Sequence, residues 1–386
     1  MNDVLLPRKD YPTLDDCTYL NQASLGLIGQ PAVSAMTDFI EQVARHGNRH
    51  MSDCDEVAFF ENLRTVAAQL FHAQPERVAI VASASEILGQ IPFLLRPRVG
   101  TKVLAVRTDF PALTRPWLRL AEDGTHSVHF VDDDPSIDLT DVLLDALDEK
   151  TSVLAVSHVQ YATGTVVDIP QLRAATDLVG ASLIVDVTQS AGAMNVDATA
   201  WKADAVVSSG YKWLGGHGGV ALAVLTPDLI SRTPLLPGWM GVPSPFDFDA
   251  TQLLLSNDAR RFTQSTMSYA SLISLKVGIE QLLAVGIDKI TSQAGELAKS
   301  LVKSLSMARW QPFRPLTDRA ASSHIVSLGP TELSCGNSTK SVVAALEQNN
   351  VICSARNGRI RVSLAPYNIE QDIQKLAHAL AMIRQV

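Results

Sequence analysis

A chain of 386 residues, 46% hydrophobic and 19% charged, is long enough for two or three domains around a large core. Its formal net charge of −8 gives no electrostatic basis for nucleic acid or an anionic membrane as partner. There is no signal-peptide pattern and no apolar run near the roughly 20 residues that span a bilayer, and Cys17, Cys54, Cys335 and Cys353 form no CxxC pair; free thiols in a reducing cytoplasm are expected, and no metal site.

Residues 1–20 read as an N-terminal arm, irregular to Asp16. Pro31 opens a helix on which Val33, Met36, Ile40 and Val43 recur at helical spacing, and a second helix is expected over Asp55–Phe71. A regular alternation follows. Short apolar runs at Val78–Val81, Lys102–Val106, Ser127–Val131, Val153–Ser157, Leu183–Asp186, Asp204–Ser208 and Val220–Leu225 are separated by gaps, most of which can hold a helix. This predicts an α/β unit with a seven-stranded, mainly parallel sheet covered on both faces. Pro234–Phe248, rich in Pro, Gly and aromatic residues, reads as a long loop that helps to shape a site. One long helical pattern runs from about Ser268 to Ser306. Strand Ser323–Leu328, helix Thr339–Asn349, strand Gly358–Ser363 and helix Ile369–Ile383 then predict a small α+β domain. The expected division is 21–255 for the large domain and 256–386 for the small one.

Two strand ends carry the chemistry. The run Leu183–Asp186 closes on a carboxylate, and the run ending at Ser208 leads through Ser209-Gly210-Tyr211 into Lys212. Ligands of parallel sheets bind beyond the carboxyl ends of the strands, so both groups can converge. Either alone has a plainer reading: Lys212 as a surface lysine, Asp186 as a helix N-cap. Together they meet the needs of pyridoxal 5'-phosphate, whose aldehyde forms a Schiff base with a lysine amine and whose ring nitrogen needs a carboxylate to stay protonated. The turn Ser83-Ala84-Ser85-Glu86, between a strand and a helix start, offers free amides and hydroxyls of the kind that cradle a phosphate.

Val185-Asp-Val-Thr-Gln189, Ser208-Ser-Gly-Tyr-Lys212 and Arg361-Val-Ser with Tyr367-Asn368 together resemble the class V aminotransferase group of fold-type I pyridoxal phosphate enzymes. That group includes cysteine desulfurases, kynureninase, isopenicillin epimerase-like proteins and C–S lyases. The resemblance runs from Tyr19 to Asn368. It implies that Asp186 pairs with the pyridine nitrogen, Gln189 contacts the ring hydroxyl, and Phe110 stacks on the ring. It places Ala84, Ser85 and Ser209 at the phosphate and Tyr211 beside the lysine. It also implies a homodimer in which Thr266 reaches the phosphate of the neighbouring subunit. Arg361 is implied as the clamp on the substrate carboxylate, with Arg359, on the same strand face, as its competitor.

Departures from the desulfurase pattern guide the functional expectation. Cys353 lies too close to Arg361 to leave room for a loop bearing a nucleophilic cysteine, and Cys335 does not match that position. Tyr211 and Tyr161 stand where desulfurases carry histidine and asparagine. With Phe110 they lean toward the kynureninase and epimerase-like side. His50 reads either as a substrate-pocket residue or as a solvated histidine. The expected activity is a lyase cleaving a β-substituent from cysteine, a cysteine S-conjugate or a similar amino acid, plausibly in specialised metabolism. An aminotransferase is the alternative, and epimerase, decarboxylating or purely regulatory roles stay open.

Overall fold

The computed structural model describes residues 4–305, 309–330 and 338–383. Its centre is a seven-stranded sheet. The strands are β2 (Val78–Val81), β3 (Lys102–Val106), β4 (Ser127–Val131), β5 (Thr151–Ser157), β6 (Ser182–Asp186), β7 (Ala205–Ser209) and β8 (Ala221–Leu225). The short β1 (Thr18–Tyr19) lies apart. The order is β2-β8-β7-β6-β5-β3-β4, with only β8 antiparallel to its neighbours. The sequence reading placed every one of these strands within two residues at each end. Residues of β5 are buried throughout, because helices cover both faces of the sheet.

Two apolar cores flank the sheet. One gathers Leu104, Leu154, Val156, Leu183, Val185 and Val206 with Leu63, Phe71, Leu272, Leu275 and Ile279. The other gathers Val103, Val153, Ile184 and Val207 with Ile87, Ile91 and Trp117. Alternate residues of each strand feed opposite cores, as the pleat requires. The Pro31 helix spans Gln30–His46, and the next spans Asp53–Leu70 behind a Ser52–Asp55 capping box.

The single helix expected over 268–306 is two. Tyr269–Val285 and Ile287–Ser304 meet at Gly286, which takes φ +91°, and are bent by 78°. Periodicity persists across the bend, which is why the sequence read as continuous; only the positive φ, open to glycine, marks the corner. The first of the two helices supplies Leu272, Leu275, Ile279 and Leu282 to the large-sheet core. The division expected at residues 255/256 therefore falls before a helix that shares the large core. Among the described residues no single helix is long and apolar enough to cross a membrane.

The C-terminal unit packs a four-stranded sheet, β9 (Trp310–Pro312), β10 (Ile325–Pro330), β12 (Ser354–Arg356) and β13 (Arg359–Ser363), in the order β12-β13-β10-β9. Leu297, Leu301, Leu346, Ile360, Val362 and Leu376 form its core. β11 (Val351–Ile352) instead pairs in parallel with β1. The arm is not wholly irregular. It forms two single turns, and Leu6, Tyr11 and Leu14 pack on Ala365 and Tyr367. Cys353 is buried in the small core, and its thiol is pushed up to about 12 by burial. Cys335 lies outside the described residues.

Candidate active site

At the carboxyl ends of the parallel strands lies a cavity of about 170 Å³. Ala84, Ser85, Phe110, Tyr161, Asp186, Gln189, Ser209, Tyr211 and Lys212 all line it, together with Ser157 and Thr188. Residues from Ser83 to Lys212 meet here because β2, β3, β5, β6 and β7 end on the same edge.

Lys212 follows β7 in a turn held from several sides. Its carbonyl accepts from Gln22 Nε2 at 2.9 Å, and the Tyr211 carbonyl accepts from Gly26 N–H at 3.0 Å. A Cβ on Gly26 would stand 2.2 Å from the Lys212 carbonyl oxygen, so the approach needs glycine. The amine lies 5.2 Å from the Phe110 ring centroid and 5.7 Å from that of Tyr211. Burial lowers its pKa to about 8. The Asp186 charge opposes that shift, and the nearby Arg361 and Arg356 reinforce it. A usable fraction of the amine is therefore free near neutrality.

Asp186 ends β6, buried, with Oδ1 accepting from Thr188 N–H at 2.8 Å. Burial raises its pKa, while the Thr188 hydrogen bonds and Lys212 pull the other way. Its carboxylate has no ion-pair partner within 4.0 Å among the described residues. A buried acid left in that state suits the protonated nitrogen of a pyridine ring. The helix Ala84–Leu95 begins at the cavity, capped by Ser83 Oγ, which accepts from Glu86 N–H at 3.1 Å. Phe110 and Tyr161 stand edge to face, centroids 5.4 Å apart. An aromatic wall, a buried acid, a lysine and a helix N-terminus in one cavity fit pyridoxal 5'-phosphate: Lys212 would hold its aldehyde, Asp186 its ring nitrogen, Phe110 its ring face, and the Ala84–Ser85 turn its phosphate.

Gln189 is more committed than expected. Its Nε2 donates to the Ala23 carbonyl at 3.1 Å, and its Oε1 accepts from Trp213 Nε1 at 2.8 Å, leaving one amide hydrogen for a ring hydroxyl. Ser209 N–H donates to Thr188 Oγ1 at 3.0 Å.

Arg361 is buried. It donates from Nη1 to the Tyr161 carbonyl at 2.8 Å and from Nη2 to Ser24 Oγ at 2.5 Å. Burial lowers its pKa to about 9, and Arg356 adds to the effect. Arg359 points elsewhere, donating to the Gln311 and Ser327 carbonyls and lying 5.3 Å from the Phe313 ring centroid. Arg361 stands behind the cavity wall, bonded to Tyr161 rather than lining the cavity, and two more expected residues, Thr266 and His50, do not line it within this chain either. Thr266 Oγ1 donates to Glu56 Oε1 at 3.4 Å, and the His50 ring sits 5.7 Å from that of Phe39.

The sequence reading missed three residues here. Asp109 is buried beside Asp186 and binds Ser157 N–H at 2.8 Å, Ser157 Oγ at 2.5 Å and Phe110 N–H at 2.7 Å. Burial raises its pKa to about 6 against those hydrogen bonds, and the Asp186 charge adds to the rise. Ser24 and Arg356 are the others. The Asn357-Gly358 pair was the available signal for Arg356, since it marks a hairpin turn and so puts Arg356 opposite Arg359.

The sequence matches the family model "Aminotransferase class-V" over residues 18–376. A probable cysteine desulfurase of Pyrococcus abyssi is 24% identical over 95% of this chain and 94% of its own. A kynureninase of Bacillus cereus is 24% identical over 95% of this chain and 88% of its own. Among solved structures, a cystine C–S lyase in complex with its reaction product cysteine persulfide superposes with a TM-score of 0.85 at 20% identity, over 96% of this chain and 99% of that one. The fold is thus that of fold-type I pyridoxal phosphate enzymes, and with 359 of its 386 residues inside the family model the chain belongs to the class V aminotransferase family of pyridoxal 5'-phosphate-dependent enzymes.

Proposed function

We propose that this enzyme is a lyase that removes a β-substituent from cysteine or a cysteine S-conjugate. The observation that carries the reading is the cavity that gathers Lys212, Asp186, Phe110 and Tyr161 with no described cysteine in its lining, where burial brings the Lys212 amine to about 8. Bound pyridoxal 5'-phosphate supplies an aldehyde for the amino group and a cationic ring that withdraws electrons from the α-carbon. Arg361 orients the substrate through its α-carboxylate, a fork matched to a carboxylate. Lys212 Nζ takes the proton from the α-carbon. Asp186 holds the proton at the ring nitrogen. Phe110 and Tyr161 cover the cavity and limit water. Cys353, buried with its thiol pushed up to about 12, is unsuited to accept sulfur. The desulfurase among the relatives and the C–S lyase among the structures support this choice.

The test is product analysis. With cysteine or its S-conjugates and no α-keto acid, pyruvate and ammonia are expected. Strict dependence on an α-keto acid acceptor would instead identify an aminotransferase.

The reading includes a cytoplasmic homodimer with shared sites. Leu235, Leu236, Phe248, Leu253 and Leu254 are each more than half exposed, an apolar stretch that leads toward Thr266. Leu253→Glu with Leu254→Glu is expected to yield monomers in sedimentation and to lose the cofactor. A wild-type monomer with full activity would exclude shared sites.

A further inference from the structure

Two arginines lie behind the cavity wall, where Arg361 bonds the carbonyl of the wall residue Tyr161. Arg361 and Arg356 both act on the charge of Lys212, and they act on each other. The two guanidiniums meet at one hydroxyl. Ser24 Oγ accepts from Arg361 Nη2 at 2.5 Å and from Arg356 Nη2 at 3.1 Å. Their other acceptors are backbone carbonyls, Tyr161 for Arg361 and Ala355 for Arg356, each at 2.8 Å. All these partners are neutral, and neither arginine has a carboxylate within ion-pair distance among the described residues. Arg361 Nε is buried with no partner at all. The two other fully buried arginines are paired, Arg314 with Asp133 at 3.0 Å and Arg64 with Glu61, which sets Arg361 apart; the half-buried Arg359, like Arg356, bonds only neutral groups.

Backbone geometry makes this arrangement deliberate rather than incidental. β12 and β13 pair so that Ser354 faces Arg361 and Arg356 faces Arg359, around Asn357 and Gly358 at φ 47° and 72°. Arg356 is thus fixed at the hairpin end on the side of Ser24. Arg359 is drawn off by Phe313 and two carbonyls.

The charge balance then sets a requirement. The α-carboxylate of an amino-acid substrate satisfies Arg361. A second, part-buried guanidinium, sharing the Ser24 hydroxyl with it, is still left without an anion. We propose that Arg356 is a specificity-determining residue that binds a second acidic group on the substrate side chain, a carboxylate or an oxidised-sulfur anion. This rests on the amino-acid reading of Arg361 and narrows it to anionic amino acids. Under the lyase reading a suitable substrate is S-carboxymethyl-L-cysteine. Its α-proton goes to Lys212 Nζ, and the Cβ–S bond breaks with the electron pair leaving on sulfur. Water completes the balance to pyruvate, ammonia and mercaptoacetate, and nothing is oxidised or reduced.

The test compares binding of S-carboxymethyl-L-cysteine with that of its neutral isostere, S-carbamoylmethyl-L-cysteine. Dissociation constants are taken from the absorbance change of the holoenzyme, whether or not turnover follows. The wild type is expected to favour the acid by at least about tenfold, the scale of one charge-assisted hydrogen-bonded pair. In Arg356→Gln the ratio falls to about one. Arg356→Lys restores part of it, because the charge returns without the planar fork; should the Gln variant misfold, the Lys variant carries the comparison. A wild-type ratio near one overturns the proposal. So does a ratio unchanged in Arg356→Gln, including the case where that variant only dissociates the oligomer. A clear preference for the acid with no pyruvate formed would leave the proposal standing and sink the lyase assignment alone.

Discussion

The behaviour of Lys212 follows from how few groups set its charge. In the role proposed for Lys212 only its free amine captures the cofactor, so the uptake rate of apo-protein should rise about fivefold between pH 7 and pH 8 for a pKa of about 8. Its neighbours push in opposite directions. Arg361 lowers the pKa, so Arg361→Gln moves the midpoint of the uptake profile up. Asp186 raises it, so Asp186→Asn moves the midpoint down. Stopped-flow uptake across pH checks both signs, and shifts in the same direction would refute this electrostatic account. Lys212 and Asp186 were legible in the sequence because Asp186 ends an apolar strand and Lys212 follows the end of another, and strand ends are visible as a change of composition. Arg356 and Ser24 were not, because they meet through pairing between segments 332 positions apart. Asp109 was hidden for another reason. An acid before an aromatic and a proline reads as a turn residue, and only the fold shows that β5 delivers Ser157 to it.

At the scale of elements, the lysine turn is held by a helix as much as by its own strand. Gly278 lies within the helix Tyr269–Val285, and a Cβ there would stand 2.2 Å from the Leu214 carbonyl oxygen, two residues beyond Lys212. Both contacting groups are backbone, so neither can rotate away. Gly278→Ala is therefore expected to cost about 1–3 kcal/mol by overpacking and to slow cofactor capture by shifting the turn. Gly295, on the next helix, is the control. A Cβ there meets only Ser323 Cβ at 3.7 Å, an ordinary contact, so alanine should gain up to about 1 kcal/mol from helix propensity. Chemical denaturation of the two variants separates the cases, and equal stabilities would show that the turn yields. Most large-sheet strands were readable because burial on both faces leaves unbroken apolar runs; the edge strand β4, half exposed, reads instead by alternation. β9 and β12, three residues each, were not, since elements that short carry no period. The corner at Gly286 was missed because both helices keep an apolar face through it.

The whole molecule carries a built-in acid sensitivity. His158 and His324 are buried, with pKa values lowered to about 3 and about 4, mainly by burial. Both stay neutral in the folded chain and protonate once unfolded, at the ordinary histidine value of 6.5. The unfolded state therefore binds more protons below pH 6.5, and folding stability falls with pH from there toward 4. Each histidine should cost about 2 kcal/mol by pH 5. Asp109 acts in the opposite sense. Its folded pKa of about 6 lies above the unfolded value, so it weakens the fold at neutral pH and returns about 1 kcal/mol by pH 5. Asp186, also raised, opposes in the same way. The histidines outweigh Asp109, so the unfolding free energy of the apo-protein should drop between pH 6.5 and pH 5. His324 offers the cleanest dissection. Its Nε2 lies 2.6 Å from the Gln189 carbonyl and its ring stands edge-on to Trp213, so it ties the start of β10 to Gln189 and to the residue after Lys212. Replacing it with glutamine keeps a donor and removes the titration. The variant should be less stable at pH 7 yet show a shallower loss on acidification, by up to about 1.4 kcal/mol per pH unit. An unchanged slope would mean that His324 gains its proton within the folded state, and its contact with Gln189 would then be open to water.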